Sequence, residues 1–522
     1  MFITEHDRVR LFHNRGGGKF SEITREARLD NPHWGTSAAF FDYDRDGWLD
    51  LIVVNYVDYS LSMKCPDAQG KPGYCGPSGF PGTISRLFHN LGARGGGIRF
   101  EDVTLQRGVG EAGRRRAWAS FARTPTEITG PTSLIANDGH VNWLLINQRN
   151  GTFTEEAATR GIAYNEMGAV QANMGIALGD ADGDGLFDIL VTHLNTETHA
   201  LWKQGPRGYF QDRTTPSRVA ASAWRGTGFG TVFSDLNNDG APDLLVVNGG
   251  IKRLTIDPAP HGKANSDPFW NGYEQRSQIF ANDGNGAFTD VSADNLAFTG
   301  TAAVARGLAV GDLNNDGGPD LLVTRIAAPA RVYRNIAPRG HWLTVRVVEP
   351  TLGGRDAYGA EVTISAGGRR RTVWVNPSQS YLCSNDPRAH FGLGSATRVG
   401  GHQRGLARRQ RGAVRRSCRR SDHHAAQRFR AACGSQGDAK WTMNMDHRTS
   451  TPPVCDTLWN DSVGSSNPKH QASEKLKPQT SRRPAGWPPH RSGRGLELEI
   501  WSFSGAWCLG FGALARATRN RL

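Results

Sequence analysis

Residues 38–54 read Ala38-Ala39-Phe40-Phe41-Asp42-Tyr43-Asp44-Arg45-Asp46-Gly47-Trp48-Leu49-Asp50-Leu51-Ile52-Val53-Val54. At their centre lies a nine-residue phrase, D-x-[DN]-x-D-G-x-x-D, which recurs in frame three more times. Asp42, Asp44, Asp46 and Asp50 form the first copy, and Asp180, Asp182, Asp184 and Asp188 the second. Asp235, Asn237, Asp239 and Asp243 form the third, and Asp312, Asn314, Asp316 and Asp320 the fourth. A glycine follows the position-5 ligand each time: Gly47, Gly185, Gly240 and Gly317. Side-chain oxygens at positions 1, 3, 5 and 9 can surround one hard cation at ~2.3–2.6 Å. The carbonyl of position 7 joins them, from Trp48, Leu186, Ala241 and Gly318. The glycine permits the tight turn. Without a cation, so many carboxylates in one small loop would repel one another. The phrase reads as a calcium loop, and Ca2+ is the expected cofactor. A solvated turn cap is the alternative for any single Asp.

The EF-hand opens with the same spacing but needs a bidentate Glu at position 12 and a helix on each side. Position 12 is valine in all four copies (Val53, Val191, Val246, Val323). The flanks are short, apolar and rich in β-branched residues, as in Gly230-Thr231-Val232-Phe233 before the third loop and Leu244-Leu245-Val246-Val247 after it. Such runs, bounded by turns, predict buried strands. The unit is therefore strand, calcium loop, strand.

A second phrase recurs between the loops: an aromatic or leucine, then Asn, then Gly and Phe before an acidic segment. It is present at Leu11-Phe12-His13-Asn14 with Phe20, at Leu87-Phe88-His89-Asn90 with Phe100, at Leu145-Ile146-Asn147 with Phe153, and at Ile279-Phe280-Ala281-Asn282 with Phe288. Leu201-Trp202 with Phe210 is a degenerate copy. Two strands about a Gly/Asn turn make a hairpin. Each repeat thus supplies about four strands, the content of a propeller blade. Blades cannot bury a core singly and close into a ring. Two insertions interrupt the rhythm, Tyr56 to Arg86 and Gly250 to Gln278. They are either binding loops or passive decoration.

These repeats resemble the FG-GAP/VCBS family of β-propellers, the fold of integrin α-subunit heads. Further on come Trp342-Leu343-Thr344-Val345, Arg355-Asp356-Ala357-Tyr358-Gly359-Ala360-Glu361-Val362 and Ser380-Tyr381-Leu382, then Asp386-Pro387-Arg388-Ala389-His390-Phe391-Gly392-Leu393-Gly394. They resemble the ASPIC/UnbV module that follows such propellers in cartilage-acidic-protein-like secreted proteins. The resemblance covers about residues 1–399. It implies an all-β protein: a propeller over 1–335, incomplete, and a small β module over 336–399. It also implies an extracellular or periplasmic location. The first residues lack the basic start and apolar core of a signal peptide, and no run is long and apolar enough to span a membrane. The Leu11–Phe20 hairpin has no calcium loop before it, so the sequence opens inside a blade and ring closure is an open question.

The formal net charge of +13 is unevenly spread. Residues 401–522 carry 22 Lys and Arg against 8 Asp and Glu, whereas residues 1–400 carry 40 against 41. A basic tail raises nucleic acid as a partner. Its composition, rich in Arg, Ser, Pro and His without periodicity, instead predicts disorder. Two stretches depart from the repeat pattern. Back-translating Ala117 to Ser133 and reading from each codon's third base permits L-G-V-V-C-A-D-A-D-G-D-N-W-P-D-L, a calcium loop with its flanking strands. Gly400 to Gln410, read from the second base, permits V-D-I-S-V-V-W-P-D-G-S, the usual ending of the module. Residues 113–134 and 400–522 are accordingly expected to be out-of-frame translation. Seven cysteines form no disulfide framework in a chain this long. Cys65 and Cys75 either pair or stay as two thiols. Cys418, Cys433, Cys455, His423 and His424 lack the spacing of zinc sites.

Three functions compete. The first is a calcium-binding, non-enzymatic scaffold for an extracellular protein or glycan, since extracellular calcium modules bind at about 10⁻⁴–10⁻³ M. The second is an enzyme on the propeller rim. Against it, there is no G-x-S-x-G, H-E-x-x-H or phosphate loop, and His33, His89 and His390 read as isolated structural residues. The third is nucleic-acid binding through the tail, which rests on charge alone. The first is the expectation.

Overall fold

The computed structural model describes residues 1–404 apart from 61, 64, 67–69, 71, 74, 93–96, 111–116, 123–131, 254–267, 271, 350, 351 and 353. Beyond 404 it describes 438–444, 498–502 and 518–519. The architecture is all-β, with Leu296–Thr299 the one α-helical turn among the described residues.

Six antiparallel sheets follow one another along the chain. Blade I has three strands, Phe2–Thr4, Val9–Gly16 and Lys19–Glu22. Blade II consists of Gly35–Phe41, Asp50–Asn55, Arg86–Asn90 and Phe100–Asp102. Blade III consists of Ala117–Ala122, Ser133–His140, Trp143–Asn147 and Phe153–Glu155. Blade IV consists of Ile176–Gly179, Asp188–Val191, Ala200–Gln204 and Phe210–Asp212. Blade V consists of Gly228–Ser234, Asp243–Asn248, Gln278–Asn282 and Phe288–Asp290. Blade VI consists of Ala305–Gly311, Asp320–Arg325 and Ala328–Asn335, with Leu498–Ser502 as its fourth strand. The D-x-[DN]-x-D-G-x-x-D phrases join the first and second strands of blades II, IV, V and VI, as the sequence predicts. No helix flanks them.

Between its polar ends the second strand of blades II and V is apolar because both of its faces are covered. Successive side chains point to opposite faces. Leu51 and Val53 pack into the cluster between blades I and II, while Ile52 and Val54 pack into the one between II and III. Leu244 and Val246 face blade IV, and Leu245 and Val247 face blade VI. Clusters of this kind join I to II, II to III, III to IV, IV to V and V to VI. None of the apolar clusters among the described residues joins VI to I. This fits an incomplete propeller.

The C-terminal module pairs His341–Val345 with Ala389–Gly394. It also places Glu361–Ala366 between Arg369–Trp374 and Arg398–Arg404. Its own core is built from Leu343, Val362, Ile364, Val375, Phe391 and Val399, among others. Segment 379–386 runs along the innermost strands of three blades. Ser380 and Ile176 exchange backbone hydrogen bonds, and the Ser380 Oγ accepts the Thr231 N–H at 3.0 Å. Gln379 Oε1 accepts from Leu178 N–H, and Asn385 Oδ1 from Val310 N–H. Tyr381 packs edge-on to Phe229. The Ser-Tyr-Leu motif thus caps strand edges that no neighbouring strand covers.

Disorder is the expectation for most of the tail, not for all of it. Three of its segments are strands, with Asp438–Asn444 pairing with Arg398–Arg404 and Thr518–Arg519 pairing with Leu498–Ser502. The rest of 405–522, with the tail cysteines and histidines, lies outside the described residues, as does most of 113–131. Cys65 and Cys75 are joined by a disulfide.

Candidate metal centres

Each calcium phrase forms a hairpin loop closed by the register of its strands. Phe41 pairs with Asp50, Gly179 with Asp188, Ser234 with Asp243, and Gly311 with Asp320. The residue before position 1 therefore faces position 9, and eight residues lie between them. Two left-handed residues fold the loop back. Position 6 is the glycine in every copy (Gly47, Gly185, Gly240 and Gly317). Position 4 is also left-handed, occupied by Arg45, Gly183, Asn238 and Asn315. Asn and Gly adopt this conformation at little cost, and arginine less readily.

The side chains at the ligand positions are oriented by one repeated set of hydrogen bonds. The glycine N–H donates to position 1, as from Gly240 to Asp235 at 2.7 Å and from Gly317 to Asp312 at 2.9 Å. Gly47 does the same to Asp42, and Gly185 to Asp180. The N–H of position 5 donates to position 3, and the N–H of position 7 to position 5. Position 9 receives two main-chain donors. Asp188 accepts from Ala181 N–H on one oxygen and from Gln204 N–H on the other. Asp50, Asp243 and Asp320 repeat this with Tyr43 and Asn90, Leu236 and Asn282, and Leu313 and Asn335.

The result is a convergent set of oxygens. One carboxylate oxygen from each of Asp42, Asp44 and Asp46 lies within 4.8 Å of the others, and Asp180, Asp182 and Asp184 do likewise. Two ligands at ~2.4 Å from one ion are at most ~5 Å apart, so both triads fit a calcium ion. Asp180 Oδ1 is buried and has no hydrogen-bond partner, although its sister oxygen has two. A buried acceptor left in that state costs free energy, and a cation would satisfy it. Burial pushes the carboxyls up in pKa: Asp50 and Asp180 to about 6, Asp235 and Asp320 to about 7, and Asp188 to about 8. Asp243 is raised well above the ordinary value by the same cause, and Asp312 is raised too. A divalent ion reverses that preference, because it favours the charged form. The donor set fits Ca2+: Trp48, Leu186, Ala241 and Gly318 would supply the position-7 carbonyls, and the Asp and Asn side chains the remainder.

The FG-GAP-like repeat family matches residues 1–53, 133–191 and 265–323, and the ASPIC and UnbV family matches residues 351–401. The chain carries FG-GAP-like repeats and an ASPIC/UnbV module at those residues. It is 26% identical to mouse cartilage acidic protein 1 over 371 residues, which cover 61% of this chain and 55% of that protein. The human cartilage acidic protein 1 is 26% identical over 377 residues, covering 61% and 54%. The Xenopus tropicalis protein of the same name is 27% identical over 267 residues, covering 49% and 37%. The chain spans about half the length of the two mammalian relatives.

Three features of the FG-GAP loops escaped the sequence reading. The first is the role of the recurring Asn. Asn147 Nδ2 donates to the Tyr43 carbonyl, Asn282 Nδ2 to Ala181 and Asn335 Nδ2 to Leu236, each at position 2 of the preceding loop. The Asn thus holds position 9 of its own blade through its N–H, where that blade has a loop, and ties the loop before it through its side chain. The second is a basic group against the carboxylates. His89, Lys203 and Arg334 occupy equivalent places on third strands, one residue before Asn90, Gln204 and Asn335. His89 Nδ1 lies 3.0 Å from Asp50 and 3.5 Å from Asp44, so it is not isolated as expected. Its hydrogen bond to Asp50 raises its pKa. Lys203 contacts Asp182 and Asp184, and Arg334 contacts Asp316. Blade V has Ala281 there. The third is the contact between His390 and the third loop: its Nε2 sits 2.9 Å from Asn238 Oδ1, so His390 is not isolated either.

Proposed function

We propose that the protein is a calcium-stabilised, non-enzymatic scaffold that presents its loops to an extracellular or periplasmic protein or glycan. The observation that carries this reading is the fourfold repetition of one oriented oxygen set, with a buried, unpartnered carboxylate oxygen at Asp180. A resident ion at each loop stabilises the folded state by RT ln(1+[Ca]/Kd), ~2.7 kcal/mol per site at a hundredfold excess over Kd. Its role is structural: the donors are protein oxygens, and most of the side chains among them are already oriented by main-chain hydrogen bonds.

The partner surface lies at the other end of the strands. The insertions 56–86 and 250–278 join second to third strands and so emerge opposite the calcium loops. The first is fixed by Cys65–Cys75 and by a cluster of Trp34, Tyr56, Tyr59 and Phe80. The second is anchored by Trp270 and Tyr273 on Val304. Among the described residues no helix is long and apolar enough to cross a membrane.

Thermal melting with calcium and with chelator tests the reading. The midpoint is expected to rise by 10 °C or more in calcium, from several kcal/mol spread over four sites. Equal midpoints in calcium and chelator would contradict it.

A further inference from the structure

The C-terminal module sits on the face of the propeller that carries the calcium loops. At loop 2, counted along the chain, Thr372 N–H donates to Asp180 Oδ2 at 3.3 Å, and Trp374 stacks on Phe187. At loop 3, Arg371 Nε donates to the Gly240 carbonyl at 2.7 Å. Gly340 N–H reaches the Asn237 carbonyl and Gly394 N–H the Asn238 carbonyl. At loop 4, Arg388 donates to the Asp312 carbonyl at 2.9 Å and to Asn315 Oδ1 at 2.6 Å. The fit uses the loop glycines: a Cβ at Gly240 would run into the Arg371 guanidinium, and one at Gly317 into the Trp342 indole.

Loop 1 meets the module too, with Arg355 donating to the Gly47 carbonyl at 3.1 Å. We infer that the four loops, loops 2 to 4 making most of the contacts, are the seat of the C-terminal module, and that filling them with calcium and docking the module form one coupled equilibrium. This rests on reading the loops as calcium sites. Two physical effects set its sign. The first is desolvation. With the module in place, Asp180, Asp235 and Asp312 are 7–9% exposed. Burying the first carboxylate of each loop without a counter-ion is costly, so docking onto metal-free loops is penalised and the ion removes that penalty. The second is orientation. The module takes one oxygen of Asp180 and leaves Oδ1 for the ion. Arg371 takes the position-6 carbonyl and leaves that of position 7. Partners of this kind fix the direction of metal ligands.

The residual charge also agrees. Loops 3 and 4 carry three carboxylates each, so a divalent ion leaves them net negative and the attraction to Arg371 and Arg388 survives. A cavity of about 470 Å³ in the seam is lined by Asp180, Asp235, Asp312, Arg371 and Arg388, so the first ligand of each of the three loops opens onto it.

The test uses amide hydrogen exchange on the full chain, with bound calcium counted in parallel. Gly340, Thr372 and Gly394 are reporters, because their N–H groups bond across the seam. Val362 and Ile364 report on the module's own fold. In chelator the reporters are expected to exchange at least tenfold faster than in calcium, with Val362 and Ile364 less affected. Gly340→Val supplies the reciprocal measurement. Its side chain meets the Asn238 carbonyl and Gly394 without changing any charge. Linkage requires that a variant that loosens docking also weakens calcium binding, here by severalfold. Calcium bound with reporter exchange unchanged by chelator would overturn the inference and leave the calcium reading intact. So would faster reporter exchange in Gly340→Val with unaltered calcium affinity. No bound calcium would overturn both.

Discussion

Asn335 on blade VI donates its side-chain N–H to the carbonyl of Leu236 on blade V, 2.8 Å away, while its main-chain N–H holds Asp320 of its own loop at 2.8 Å. One residue therefore ties together the acidic loops of two neighbouring blades. Asn335→Ala leaves the Leu236 carbonyl buried without its donor and keeps the main-chain bond. The expected cost is ~1–3 kcal/mol, read as a lower urea midpoint at unchanged m-value. A midpoint within error of wild type would mean that the tie adds nothing.

Asp188 gives a prediction whose size depends on the ion. Without a cation, burial pushes its carboxyl up to about 8, so at pH 7 the fold must hold either an extra proton or a buried charge. Asp188→Asn removes that burden but also removes a ligand, and its amide nitrogen faces one of the two main-chain N–H donors that the carboxylate oxygens accept. It is expected to lower the melting midpoint further in calcium than in chelator. An equal loss in both media would show that Asp188 is not a ligand.

The buried histidines set the acid limit. Burial lowers His193 to about 3 and His199 to about 4. A base whose folded pKa is depressed stays neutral in the fold but charges in the unfolded chain below pH ~6.5. Its contribution is therefore intact above that pH and lost as pH falls toward 4, about 2 kcal/mol for His199 at pH 5. His199 Nδ1 accepts the His193 N–H at 3.1 Å, which an Asn oxygen can also accept. His199→Asn in saturating calcium is expected to flatten the fall of the melting midpoint between pH 7 and 5. An unchanged slope would assign acid sensitivity elsewhere.

The reading frame of blade III is open to direct test. Strands Ala117–Ala122 and Ser133–His140 pair antiparallel, Ala122 opposite Ser133, in the places that the first and second strands of the other blades occupy. The coding DNA is expected to show a frame change there, restoring D-A-D-G-D-N-W-P-D between the two strands. An uninterrupted verified read, matched by peptide mass, would establish the present residues as native.

Strands and loops were legible in the sequence because both signals are local. Leu51 to Val54 announce a strand covered on both faces, and the ligand spacing of Asp42 to Asp50 fits one ion within nine residues. The Asn of Asn147 and Asn282 was visible as a repeat, but its role was not, because its acceptors lie 104 and 101 residues away. His89 looked isolated for the same reason: Asp50 is 39 residues distant and meets it only after the blade folds. The left-handed residue at position 4 had a signal in Gly183, Asn238 and Asn315 that Arg45 obscured. The seating of Arg371 on Gly240 depends on tertiary packing of a separate module, which no local pattern encodes.

Counting calcium bound per chain, by equilibrium dialysis at millimolar free calcium, tests the central claim most directly. Four ions per chain are predicted, falling to three in a variant in which Asp235, Asp239 and Asp243 are all replaced by Asn. No bound calcium, or a count that this triple substitution leaves unchanged, would contradict it.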